Sequence, residues 1–214
     1  GMRGWRSFVL MPLVGAAYVF LIWPTDSRSG IIVVIATLVL MLRLIPVTKV
    51  LRSSRAIFLV LLVPLAVAIF VCLLSLFGDI TNLKQWSLET FQKDLFNGRD
   101  DLWIWGFQLL QQKFLFGHGS VAKANWHNCA IACLTGFGVV GYVLWMRLFH
   151  LILKNGRHYI EDTSVAGAMT AFLVLFCHQS VELGLISDSP MLIPYVILGI
   201  LLGRVNYLKR RELR

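Results

Sequence analysis

Two arginines and a histidine have the types and positions that suit anion binding and proton transfer at a membrane surface. Arg28 sits in TDSRSG, where an apolar segment begins. Arg99 follows Gly98 and precedes Asp100 and Asp101, and His127 lies between Trp126 and Asn128 at the mouth of another apolar segment. A guanidinium stays charged, and its planar fork can bind phosphate oxygens in pairs. An imidazole titrates near neutrality, which suits a general base. Each residue has a plainer reading beside this one. Arg28 serves equally as an interfacial anchor that snorkels. Arg99 serves as a local salt bridge, or as a phosphate ligand with Asp100 or Asp101 capping its helix. His127 serves as a polar end-cap; as a base, its tautomer would be fixed by Asn128 or a backbone carbonyl. His118, between Gly117 and Gly119, is a flexible rival for the same role.

His178 and Glu182 stand four residues apart near the end of a further apolar segment. Ionisable groups at such a depth are costly and are paired or functional. The spacing predicts a mutual bond on one helix face, or two groups lining the site. Asp100 and Asp101 are adjacent and lack the Asp-x-Asp spacing of metal-dependent sugar-nucleotide transferases. No histidine–carboxylate cluster has ligand spacing, so the expectation is no metal and no other cofactor. There is no phosphate-cradling GxxxxGK loop, which argues against nucleotide chemistry. Cys72, Cys129, Cys133 and Cys177 all fall in apolar segments and read as small buried hydrophobes.

The elements that must position these groups are membrane helices. With 57% hydrophobic and 14% charged residues, the chain is no water-soluble domain. Its apolar residues come in runs of roughly twenty, the length a helix needs to cross a bilayer. Hydropathy predicts about six spans, at 7–23, 31–51, 56–77, 128–153, 164–183 and 190–207. The fold class is therefore all-α, a polytopic transmembrane helical bundle in one domain, 1–214. Fourteen of the twenty basic residues fall on one side of that arrangement and six on the other. The positive-inside rule puts the richer side, with both termini, in the cytoplasm. The +9 formal charge is thus a topology signal and needs no nucleic acid. Arg3 and Arg6 precede the first apolar stretch with no small-residue cleavage site after it, so no cleavable signal is expected. Gly1 ahead of Met2 leaves room for a longer protein.

One long external loop, 78–127, separates the third and fourth spans. It carries Trp86, Phe91, Phe96, Trp103, Trp105, Phe107, Phe114, Phe116 and Trp126, residues that favour the headgroup region. From Asp100 to Phe116 the pattern is helical, with acidic residues in the first turn. It predicts an interfacial helix lying on the membrane, stopped by the Gly117–Gly119 turn. Gly136, Gly138 and Gly141 read as small residues for close helix packing, and Pro46, Pro64, Pro190 and Pro194 as kinks or helix starts.

SRSG at a span entrance, Gly98-Arg99 with Trp103 in a long external loop, GHG, then His127-Asn128 before a span containing GxxG resemble the O-antigen ligase and polymerase superfamily. The resemblance covers roughly residues 25 to 205. It implies an inverting, metal-independent glycosyltransferase of the bacterial inner membrane, active on the periplasmic or outer face. The partners it implies are an undecaprenyl-diphosphate-linked glycan, an acceptor glycan or lipid-linked sugar, and membrane lipids. By the same resemblance Arg28 is the arginine near the carrier, Arg99 the loop arginine and His127 the histidine that activates the acceptor. His118, His178 and Glu182 are further candidates for binding substrate. Members of that superfamily carry more spans than are found here, so the chain reads as a fragment or a short member, with ligase and polymerase both open.

Two other classes remain beside this one. A small transporter or channel subunit would place ionisable groups face to face at mid-membrane in broken helices. A non-catalytic scaffold would bind lipid-linked sugar without turning it over. The polar groups gather at one face, which favours transfer.

Overall fold

The computed structural model describes residues 47–119, 125–182, 185–186 and 192–213. The chain divides into two compact units, 1–49 and 50–214, and nearly all described residues belong to the second. The expected span 7–23, most of 31–51, Arg28, Pro46 and Pro190 lie outside the described residues. Every regular element among the described residues is helical.

After a short helix α1 (Val47–Arg52), the Ser53 hydroxyl caps α2 (Ser54–Leu61) by accepting from the Ala56 N–H. Pro64, which lacks an N–H, stands at the start of α3 (Val63–Phe77), and the two helices meet at 45°. Together α2 and α3 form a bent pair over the predicted third span, a broken span or a re-entrant loop by length and composition. The predicted fourth span is α6 (Cys129–Gly156), which runs on through a 3-10 turn to Tyr159. Asn128 caps it, its side-chain oxygen accepting from the Ala130 and Ile131 N–H groups at 2.9 and 3.1 Å. The last, α8 (Leu192–Glu212), ends in Lys209, Arg210 and Arg211, which suit the negative end of the helix dipole. Among the described residues two helices are long and apolar enough to cross a membrane, or three with the bent pair.

The predicted fifth span is shorter than expected. Helix α7 (Thr163–His178) has 16 residues and stops at His178. Beyond it the Gln179 carbonyl accepts from the Cys129 N–H at 3.0 Å, and the Ser180 and Val181 N–H groups bond back to Cys177 and His178. The chain therefore turns across the start of α6 instead of continuing. At the other end Asp162 caps α7 and receives the Arg204 guanidinium of α8 on both carboxylate oxygens. Gly156 lets α6 approach α7 and α8, since a Cβ there would sit 2.8 Å from the Met169 sulfur and 3.3 Å from a Leu201 methyl. Phe149, Phe172 and Phe176 stack in the seam between α6 and α7.

The long loop expected to be external is folded against the bundle. It contains α4 (Thr81–Phe91) and α5 (Arg99–Gln112). Helix α5 packs one face on the bundle. Its face formed by Asp100, Trp103, Gly106 and Leu110 is buried, and Trp103 joins Ala68, Val71 and Cys72 of α3 and Ile131 and Ala132 of α6 in one core. Protein thus covers one face of the helix, while Trp105 stays partly exposed. Trp103 donates its indole N–H to the Trp126 carbonyl at 2.6 Å, so these two tryptophans are core residues and not headgroup anchors.

Gly138 also has a different job from the predicted one. With φ 67° and ψ −171° it breaks α6. The break frees backbone groups that a helix would satisfy, and the segment after α5 takes them up. His118 and Gly119 donate to the Thr135 and Gly136 carbonyls at 2.9 and 2.8 Å, while Val139 and Val140 donate to the Phe114 and Leu115 carbonyls at 3.0 and 3.1 Å. The approach is so close that a Cβ on Gly138 would strike the Leu115 carbonyl, and one on Gly117 would lie 2.5 Å from the Gly138 nitrogen. Residues 113–119 thus form a strap laced to the break.

Candidate active site

Three segments far apart in sequence meet at the start of α6. Arg99 opens α5, His127 precedes α6, and Glu182 follows α7. Arg99 Nη2 lies 3.3 Å from Glu182 Oε1, and His127 Nδ1 lies 3.5 Å from Glu182 Oε2. One carboxylate therefore faces both a guanidinium and an imidazole. The first contact is a hydrogen bond; the second is at ion-pair range but does not meet hydrogen-bond geometry, and His127 Nδ1 has no other partner among the described residues. Arg99 Nε likewise makes no hydrogen bond there, so part of its fork is uncommitted. The Arg99, Glu182 and His127 side chains are 22, 33 and 35% exposed.

The local backbone is built to present this group. His127 holds φ 48°, a left-handed conformation that a histidine seldom adopts. Next to it, Asn128 is fully buried and makes four hydrogen bonds. Besides capping α6, its amide donates to the Pro64 and Ser180 carbonyls at 2.9 Å each. Asn128 therefore ties α3, α6 and the turn after α7 into one joint. Its side chain points into that joint and does not set the His127 tautomer; the group facing Nδ1 is Glu182.

Arg99 pairs with neither adjacent aspartate. Gly98, at φ 72°, precedes α5 with no side-chain cap, which overturns the expectation that Asp100 or Asp101 caps it. Asp94 instead accepts from the Phe96 and Gly98 N–H groups just before the helix. Asp100 turns inward, accepting from Lys84 Nζ at 2.8 Å and the Ser75 hydroxyl at 2.9 Å. Burial pushes the Asp100 carboxyl up, but the hydrogen bonds from Lys84 and Ser75 outweigh it and hold the group below the usual carboxylate value. This link braces α5 against α3 and α4 one residue from Arg99. Lys84 was invisible to sequence reasoning, since nothing local ties it to a position sixteen residues on.

The predicted pairing of His178 with Glu182 on one helix face is not formed, because α7 ends at His178 and Glu182 lies past the turn. His178 still stands near enough to Glu182 and Arg99 for both charges to act on it. His118 is placed elsewhere. It sits on the strap at the far end of α5 from Arg99, its ring Nε2 3.0 Å from the Leu109 carbonyl, so it is held and not flexible. Among the described residues no group of three or more His, Cys, Asp and Glu is placed to hold a metal ion. Cys72, Cys129, Cys133 and Cys177 are free thiols.

The O-antigen ligase family matches residues 9–146, well over half of the chain. No curated protein and no solved structure gives a match.

Proposed function

Because the chain belongs to the O-antigen ligase family, a family of glycan-transferring membrane proteins, we propose that it passes a glycan from an undecaprenyl-diphosphate carrier to an acceptor hydroxyl. The acceptor is a glycan or a second lipid-linked sugar. The cluster of Arg99, His127 and Glu182 would face the periplasmic or outer side of the bacterial inner membrane, opposite the richer share of basic residues.

The observation that carries this reading is the single carboxylate, Glu182, set between Arg99 and His127. With Nδ1 protonated on the side of Glu182, His127 would keep the Nε2 lone pair for the acceptor. In one displacement the acceptor oxygen attacks the anomeric carbon, its proton passes to Nε2, and the bond from that carbon to the carrier diphosphate breaks. The electron pair leaves with the diphosphate, and configuration at the carbon inverts. Glu182 then neighbours an imidazolium, whose charge it balances, as the carboxylate does in a catalytic triad. The Arg99 guanidinium would offset charge growing on the departing diphosphate, an electrostatic contribution often among the largest in catalysis. Arg28, carried over from the family resemblance, is proposed as a second cation for the carrier diphosphate.

The test is transfer from purified carrier-linked glycan to acceptor, measured with each variant reconstituted in lipid. His127→Ala should lower kcat by about 10²–10⁴-fold, the usual worth of general base catalysis. Arg99→Ala and Arg28→Ala should each lower kcat/KM, with membrane insertion unchanged. A wild-type rate from His127→Ala would remove it as the base and overturn the mechanism.

A further inference from the structure

The strap 113–119 has more to explain than its bonds to Gly138. It carries Phe114, Leu115 and Phe116 with 56, 55 and 72% of their surfaces exposed, three large apolar side chains in a row. Water offers no reason to hold them there. Their surroundings do, because the strap is laced to Val139 and Val140, so the three stand beside the exposed Phe137 and Val140. From that point the same outward surface continues along α6 through Val143, Leu144, Leu148 and Leu151, the exposed apolar face of a membrane-spanning helix.

We propose that Phe114, Leu115 and Phe116 are inserted among phospholipid acyl chains, so that the strap anchors the external loop in the bilayer. The backbone supplies the second argument. A non-helical segment reaches toward hydrocarbon more cheaply the more of its peptide groups are satisfied internally, each bare group costing several kcal/mol. Here the Phe114 and Leu115 carbonyls accept from α6, the Gly117 N–H returns to the Lys113 carbonyl, and the His118 and Gly119 N–H groups bond α6 carbonyls. The His118 ring, too, is bonded, to the Leu109 carbonyl. These bonds lower the number of bare peptide groups that the strap carries to the membrane. Depth follows from the flanks. Gln111, Gln112 and Lys113 come just before the three apolar residues and are all exposed, which sets the insertion immediately beneath the headgroups, with the Lys113 ammonium among them.

The experiment needs no substitution. The wild-type chain is placed in nanodiscs of phosphatidylcholine doped with a phospholipid bearing a diazirine in its acyl chain, illuminated, digested and mapped by mass spectrometry. A parallel sample is exposed to hydroxyl radicals generated in the water. The expected result is acyl-chain labelling at Phe114, Leu115 or Phe116, as at Val143 and Leu144, together with protection of both phenylalanines from the radical. Absence of acyl labelling on the strap overturns the proposal, and so does oxidation of Phe114 and Phe116 to the level of the exposed Trp86. Neither readout involves glycan transfer, so failure here leaves the proposed reaction standing.

Discussion

His127 holds its left-handed angle at a cost of about 1–3 kcal/mol for a residue of its kind, a strain that packing around it must sustain. Asparagine adopts that conformation far more readily. His127→Asn should therefore fold at least as stably as the wild type, its thermal midpoint unchanged or raised by a few degrees, while glycan transfer is lost. Differential scanning calorimetry beside a transfer assay separates the two, and a fall in midpoint would mean the backbone angle is not strained. Glu182→Gln keeps the shape of its side chain and removes the charge shared by Arg99 and His127. Transfer should drop by about tenfold or more, as for a base that loses its orienting carboxylate. Sequence alone marked Arg99 and His127, because arginine and histidine carry their chemistry in their type. It paired Glu182 with His178 by helical spacing, and failed there because the stop at His178 is set by Gln179 bonding across to Cys129, a contact with no local signature.

Among the elements, α5 is the one that sequence periodicity located without its packing partners. Its helical pattern was legible in Asp100 to Phe116, but an apolar face reads the same whether it meets lipid or protein. What decides is the facing surface of α3 and α6, which periodicity does not contain. The brace at its start is Asp100 with Lys84 and Ser75. Asp100→Asn should cost about 1.5–3 kcal/mol, the range for hydrogen bonds to a charged group, and toward the lower end because Lys84, a third exposed, can turn to water. The folded carboxyl is held below its ordinary value of 3.8. Its contribution is therefore complete above that value and is lost as pH falls through the lowered one. Acid unfolding monitored by circular dichroism should show the wild type losing its advantage over Asp100→Asn below about pH 4. At the other end of α5, Gly138→Ala would place a methyl against the Leu115 carbonyl at a positive φ. The expected loss is about 2–4 kcal/mol, from backbone strain and overpacking together, read as a lower unfolding midpoint in detergent.

At the scale of the whole molecule, the residues that could react come from α5, the approach to α6 and the turn after α7, so their geometry depends on what holds those segments to one another. Asn128 ties the approach to α6 to the turn after α7, and its four bonds separate into two kinds. The side-chain oxygen caps α6, while the amide nitrogen donates to Pro64 and Ser180. Asn128→Ala removes both kinds and leaves buried backbone groups without partners, each worth about 1–3 kcal/mol. Asn128→Asp keeps the cap acceptor and suits a helix N-terminus, yet it aims a carboxylate at two carbonyl oxygens where a donor stood. If the donating bonds are the ones that matter, Asn128→Asp at neutral pH should unfold no later than Asn128→Ala despite its intact cap. Acidification then discriminates. A protonated carboxyl regains one donor, so the midpoint of Asn128→Asp should rise as pH falls, whereas that of Asn128→Ala should not rise. Transfer measured on the folded fraction should fall in both, because His127 is the next residue and loses its fixed approach. An Asn128→Asp protein as stable as the wild type at neutral pH would show that the joint between α3, α6 and the turn after α7 is held by packing, with Asn128 serving α6 alone.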